Sequence, residues 1–218
     1  MGNYKKGIET RERIFASARR EFKSKGYHKA TIGNIAGGAN VPVGLVNYYY
    51  KKNELLIRMY KDFLAQIREY VDNNIVNHRE NALLAHIICT RIFFNSLFSS
   101  ESGKRLLKEI LEDGLLELND ELSRDDIWEI IKHFDIDISE NLFHRLMLAE
   151  LGARRELLLI DSLYTQTGLL NKELIDFLST IAVRLAGVSP HTIAENIRQA
   201  DERLASVDYS QIDIFGEV

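Results

Sequence analysis

The side chains of this sequence best suited to chemistry are those that can read a nucleic acid. Val43, Gly44, Asn47 and Tyr48 lie in one short run, VPVGLVNYYY. At helical spacing they share the side opposite Val46 and Tyr50, which turn inward. Asn47 can bond bidentately to an adenine edge, and Val43 can pack on a thymine methyl. Lys51 and Lys52 follow directly; such charges supply affinity through phosphates, while groove-facing side chains supply sequence choice. Tyr48 is expected to point outward and Tyr50 to enter the core, with Tyr49 open between the two.

Catalytic and metal chemistry finds little to work with. The six histidines, His28, His78, His86, His133, His144 and His191, include no i,i+4 metal pair. His133, Asp135 and Asp137 suit a solvated helix end better than a cation site. Gly37-Gly38 sits mid-helix, follows no strand and lacks the lysine of a phosphate loop. Cys89 and His86, three apart, share a helix face, but their surroundings are apolar and no third group is evident. The lone cysteine therefore reads as a small buried hydrophobe; it excludes an intramolecular disulfide and fits a reducing cytoplasm. No enzyme activity, cofactor or metal is expected.

The elements that must position the reading face are short helices. Ile32, Ile35 and Ala36 have the spacing of one apolar helix face, with Thr31 as its N-cap. Ala39-Asn40-Val41 breaks that helix, and Asn40 can take the left-handed conformation of a sharp turn. Pro42 is expected at the first position of the next helix. Two short helices joined in this way make a helix-turn-helix, whose second member enters the major groove.

The run Ile35-Ala36, Ala39, Val41, Gly44, Tyr48-Tyr49-Tyr50 and Glu54-Leu55-Leu56 resembles the N-terminal signature of the tetracycline-repressor (TetR) family of transcriptional regulators. Thr10, Ile14, Ala18, Phe22, Gly26-Tyr27 and Thr31 agree upstream, so the resemblance covers Thr10 to Leu56. Asn40 stands where the family usually has Gly, Asn47 where it often has Tyr, and Asn53 where a phosphate-touching Lys is usual. Lys51 or Lys52 is left to replace that contact. The resemblance implies that Thr31, Tyr49 and Lys52 touch phosphate. The DNA-binding set is then Thr31, Pro42, Val43, Gly44, Asn47, Tyr48, Tyr49, Lys51 and Lys52. It also implies a homodimer on a palindromic double-stranded operator, and beyond Leu56 an all-helical ligand-binding and dimerisation domain.

Charge divides the chain in the same way. Residues 1–54 carry eleven Lys/Arg against four Glu, a net +7; the remainder carries seventeen against twenty-eight, a net −11. A basic head on an acidic body is the electrostatic footprint of a DNA-binding module joined to something kept off DNA. Two Pro and long stretches without breakers argue for an all-α protein of two parts, residues 1–54 and 55–218. No signal peptide and no membrane span are expected, so the setting is cytoplasmic.

Helices are expected at about Ile8–Lys25, Glu54–Asn77, 80–98, Glu101–Glu121, Asp125–Phe134, Glu140–Tyr164 closed by Gly168, Lys172–Leu185 and His191–Ser206. Short polar ends, residues 1–7 and the last dozen, are left loose. The helix over 80–98 is apolar nearly all round and should be central. It offers a wall for a small, mainly hydrophobic effector, with His86, Thr90, Arg91, Phe94 and Asn95 as contacts. The helices at 140–165 and 172–186 carry apolar residues on more than one face. Leu146, Leu157, Phe177, Leu178 and Ile181 are therefore expected to form the dimer contact. Two alternatives stay open: a helical DNA-binding protein without an effector, and a helical enzyme.

Overall fold

The computed structural model describes residues 2–115, 121–164 and 172–216, which form eleven helices and no strand. The first three make a small head: α1 (Gly2–Lys25), α2 (Ile32–Ala39) and α3 (Val43–Tyr49). Ile14, Ala18, Phe22, Ile35, Ala36 and Val46 are buried between them. The basic arm, expected to be loose, continues α1 back to Gly2.

Thr31 caps α2, its hydroxyl accepting the Asn34 N–H at 3.1 Å. Asn40 closes it in the left-handed region (φ 53°, ψ 52°), and the Val41 N–H returns to the Ala36 carbonyl. Pro42 sits one place earlier than expected, as the extended residue before Val43 (φ −61°, ψ 144°). Gly38 is needed where α1 crosses α2: a Cβ there would lie 2.4 Å from Ser17 Oγ, which donates to the Ile35 carbonyl.

The body is built on α4 (Lys52–Asn74), α5 (Ala82–Phe98), α6 (Glu101–Glu112), α7 (Glu121–His133), α8 (Glu140–Tyr164), α9 (Lys172–Leu178), α10 (Ile181–Leu185) and α11 (Pro190–Leu204). Helix α5 is central and buried on nearly every side, which explains its lack of a polar face. It meets α6 at a bend of 112°. Gly103 lets the chain turn there, because a Cβ would overlap the Leu97 carbonyl oxygen at 2.1 Å.

Two boundaries differ from expectation for physical reasons, and a third lies outside the described residues. Helix α6 stops at Glu112, followed by Gly114 at positive φ; residues 116–120 of the longer helix expected there lie outside the described residues. Gly168, expected to close α8, lies outside them too. The single helix expected over 172–185 is two, α9 and α10. At their junction the Ser179 and Thr180 hydroxyls both donate to the Asp176 carbonyl, which competes with the helical ladder.

The C-terminal residues do not form a loose tail. Ile212, Ile214 and Phe215 are buried, and Arg19 of α1 donates to the Gly216 carbonyl at 2.6 Å. Tyr70 of α4 donates to the Asp208 carbonyl, and Asn95 of α5 to the Tyr209 hydroxyl. The segment straps head to body. Among the described residues no single helix is long and apolar enough to cross a membrane, and no cluster of three metal-ligating side chains occurs.

Candidate nucleic-acid interface and body cavity

The second helix of the pair, α3, presents one open face. Pro42, Val43, Gly44, Asn47 and Tyr48 are exposed along it, and Tyr48 is 79% exposed. A Cβ on Gly44 would meet nothing within 4 Å, so this part of the face is bare backbone open to close approach. The opposite side is fixed from beneath. Val46 is fully buried, and the half-buried Tyr50 accepts a hydrogen bond from Arg58 of α4 at 3.1 Å. Tyr49 is intermediate: its ring lies edge-on to Tyr48 and beneath the Arg11 guanidinium, 5.0 Å away.

The two lysines differ. Lys51 is exposed, and its backbone N–H is held by the Glu54 carboxylate at 2.8 Å. Lys52 folds back over the Tyr27 ring, 4.4 Å from its centroid, with its ammonium toward the His28 carbonyl. Burial lowers its pKa, although Glu109 and Asp113 pull the other way. Thr31 is exposed but already engaged as a cap.

Head and body meet through α4 and α6. The Glu109 carboxylate accepts the Tyr27 N–H at 2.5 Å, Arg105 donates to the Lys23 carbonyl, and His28 pairs with Asp113. On the other side Arg58 of α4 binds Glu12, and Arg19 binds Asp62. Any shift of α4 or α6 therefore acts on α1 directly.

Within the body a cavity of about 50 Å³ lies against α5. Tyr60, Leu64, Ile67 and Arg68 of α4 form one wall; His86, Cys89, Thr90 and Phe93 of α5 form the other. Asp126 of α7, paired with Arg68, and Arg154 of α8, paired with Glu150, complete it. Arg68 and Asp126 also line a wider outer cleft of about 580 Å³ with His78, Arg79 and Lys132, so this ion pair stands between cavity and surface. Burial first, and then the charge of Arg154, drive the His86 pKa down to about 3, against a backbone hydrogen bond with Ser179; the ring is neutral.

Of the effector contacts expected on α5, His86 and Thr90 reach this cavity. Arg91 does not: it points to the other side, bonding Asp176 at 2.7 Å and Asp201 at 2.8 Å. Phe94 is packed in the core, 1% exposed, and Asn95 is on the surface. Tyr60, Arg68, Asp126 and Arg154 were not among the expected contacts. Their only signal is a charged residue on an apolar helix face, such as Arg68 one position from Ile67.

The dimer residues also divide. Phe177 is 46% exposed and Leu157 is intermediate, whereas Leu146, Leu178 and Ile181 are buried within the protomer. Among the described residues, the large exposed apolar side chains of this region are Leu142, Leu148 and Ile160 on α8, Phe177 on α9 and Leu185 on α10.

A three-helix head whose third helix, α3, presents an open face after a sharp turn from α2 has the form of a helix-turn-helix DNA-binding unit. Residues 14–59 match the family model described as bacterial regulatory proteins, tetR family. The match covers the head and the start of α4, so this chain carries an N-terminal DNA-binding unit similar to that of such regulators. Its fold is similar to the crystal structure of RolR in complex with resorcinol: TM-score 0.54 and 17% identity, covering 90% of this chain and 95% of that one. RolR without ligand aligns at 0.47 and 16%, over 87% and 96%. No curated protein matches.

Proposed function

We propose that the protein is a homodimeric repressor that binds a palindromic operator and releases it when a small molecule enters the body. The observation that carries this is the joint placement of α4: Arg58 and Asp62 in its N-terminal half hold the head, and Tyr60, Leu64, Ile67 and Arg68 wall the cavity. A ligand that favours one position of α4 thereby favours one position of the head, and only such differential binding can move the equilibrium. A coupling of about 1–3 kcal/mol would change operator affinity roughly 5–150-fold.

In this reading Asn47 and Val43 read bases, Gly44 admits the DNA backbone, and Tyr48 and Lys51 contact the sugar-phosphate. Thr31, Pro42 and Tyr49 hold the frame. The boundary between head and body falls near residue 54, at the start of α4. DNA as partner puts the protein in the cytoplasm.

The effector is small and of mixed polarity, not mainly hydrophobic, because Arg68, His86, Thr90, Asp126 and Arg154 stand among the apolar lining. An anionic ligand held by Arg91 is set aside, since that guanidinium is committed to two carboxylates. Small hydroxylated aromatics, the class of the resorcinol bound to RolR, suit the mixture of polar groups and aromatic rings here, and would enter as α4 and α5 part.

The dimer is assigned to the apolar strip of Leu142, Leu148, Ile160, Phe177 and Leu185. The test is Thr90→Trp, which fills the cavity. The variant should fold and bind selected DNA, yet no longer release it with a ligand that releases the wild type. A variant that still responds fully would place the effector site elsewhere.

A further inference from the structure

Cys89 is placed with two partners that chain spacing hides. Its Sγ lies 3.9 Å from Nε2 of His78, eleven residues earlier and in the loop after α4. The other ring nitrogen, Nδ1, is 2.5 Å from Oδ1 of Asp72, which also accepts the His78 backbone N–H at 2.8 Å. With its proton on Nδ1 toward Asp72, the neutral ring turns an Nε2 lone pair to the thiol. Thiol, imidazole and carboxylate stand in the order that activates a nucleophile, base oriented by a third group. The partner is His78, not the sequence neighbour His86.

The surroundings select the electrophile. Cys89 faces the inner cavity, whereas His78 lies on the outer cleft. Tyr60 and Phe93 give the cavity flat aromatic walls, and Arg68 brings positive charge to it. A guanidinium has five N–H donors, so Arg68 can bond a carbonyl oxygen in addition to Asp126. A flat molecule whose oxygen becomes negative when carbon is attacked matches this arrangement: a small conjugated carbonyl compound. The resting thiol is protected, because burial and the charge of Asp126 push its pKa up.

We infer that Cys89, with His78 as base and Asp72 as its orienting carboxylate, captures small α,β-unsaturated carbonyl compounds covalently within the cavity. This rests on the effector-pocket reading for its regulatory consequence, though not for the chemistry. The thiol proton passes to His78 Nε2 as Sγ bonds the β-carbon. The C=C pair becomes the new double bond between the α-carbon and the carbonyl carbon, the C=O pair moves onto oxygen to give an enolate facing Arg68, and the His78 proton is then delivered to the α-carbon. The product is a thioether, with no oxidant or reductant required. One molecule is captured per chain, with no turnover.

The experiment treats the full chain with crotonaldehyde, a four-carbon enal, and with butanal, its saturated analogue. Adducts are followed by intact mass and peptide mapping, and release of selected DNA is measured in parallel. One equivalent is expected on Cys89, none in Cys89→Ala and none with butanal. His78→Gln and Asp72→Asn, checked for fold by circular dichroism, should slow the adduct, the former by about 100-fold. No adduct on the wild-type chain, or an equal rate in a folded His78→Gln variant, overturns the proposal. An adduct that leaves DNA binding unchanged supports capture and removes the effector reading. Release by butanal without any adduct on crotonaldehyde treatment does the reverse.

Discussion

Arg91 Nε lies 2.7 Å from the Asp176 carboxylate, and the two side chains are nearly buried between α5 and α9. The same guanidinium reaches Asp201 of α11, and Lys172 bridges both acids. Four charges thus join three helices. Removing Arg91 takes away the buried partner of Asp176 and leaves it only the half-exposed Lys172, which costs more than the pair itself contributes. Arg91→Ala should destabilise the protein by about 3–5 kcal/mol in urea unfolding. Arg91→Met with Asp176→Leu should recover most of that loss. An Arg91→Ala protein of wild-type stability would show that the network is solvated.

Gly37 and Gly38 should respond differently to alanine. A Cβ at Gly37 meets nothing, whereas one at Gly38 meets Ser17 Oγ at 2.4 Å. Gly37→Ala should raise stability by about 1 kcal/mol, the helix-propensity difference. Gly38→Ala makes the same gain but displaces the buried Ser17 hydroxyl from the Ile35 carbonyl, a loss of about 1–3 kcal/mol. The two variants should differ by that amount in thermal or urea unfolding; equal stabilities would mean that α1 and α2 move apart at no cost.

DNA binding should separate base reading from phosphate contact. Asn47→Ala should relax base choice at one position of each half-site and cost about 1–3 kcal/mol. Lys51→Ala should weaken every sequence equally and reduce the log–log salt slope by about 0.9 per subunit contact. Lys52→Ala should change the salt slope least, because its ammonium is turned over Tyr27. A larger effect at Lys52 than at Lys51, measured by anisotropy against salt, would reverse the assignment.

His86 gives the stability a signed pH dependence. Its folded pKa, about 3, lies below the ordinary 6.5, so the unfolded chain takes up a proton that the folded chain refuses. The neutral ring's full stability is present above pH 6.5 and is lost as pH falls toward 3. The slope is at most about 1.4 kcal/mol per pH unit. His86→Gln should lack this component, so the two unfolding free energies should converge as pH falls. Parallel curves would show that His86 takes up its proton in the fold.

The head was legible in the sequence because its signals are local. Thr31 capping, Asn40 turning and Val46 facing inward are set by neighbours within a few residues, and all three appear where expected. The body was legible only as a set of helices. Nothing near Arg91 tells whether it meets a ligand or Asp176, eighty-five residues on. The pairing of Cys89 with His78 depends on how the α4–α5 loop returns, and the burial of Phe215 on a docking segment without period. Apolar stripes on α8 and α9 show that more than one face is apolar, but not which face the protomer covers itself.

That last distinction makes the dimer testable residue by residue. Phe177 and Leu178 are adjacent, yet Phe177 is 46% exposed and Leu178 only 1%. Leu148 and Leu185, 56% and 53% exposed, belong with Phe177 to the proposed interface, and a side chain added at Gly152 between Leu148 and Ile160 would meet nothing within 4 Å. An aspartate at an exposed interface position need not disturb the protomer, whereas one at a core position must lose its charge or unfold the chain. Phe177→Asp and Leu148→Asp should therefore give folded monomers with native helix content and weakened operator binding. Leu178→Asp should lower folded yield at any protein concentration. Light scattering with circular dichroism separates the outcomes: a folded dimer in both Phe177→Asp and Leu148→Asp would move the contact off this strip. A folded monomer from Leu178→Asp would show that α9 detaches from the body more readily than its burial implies.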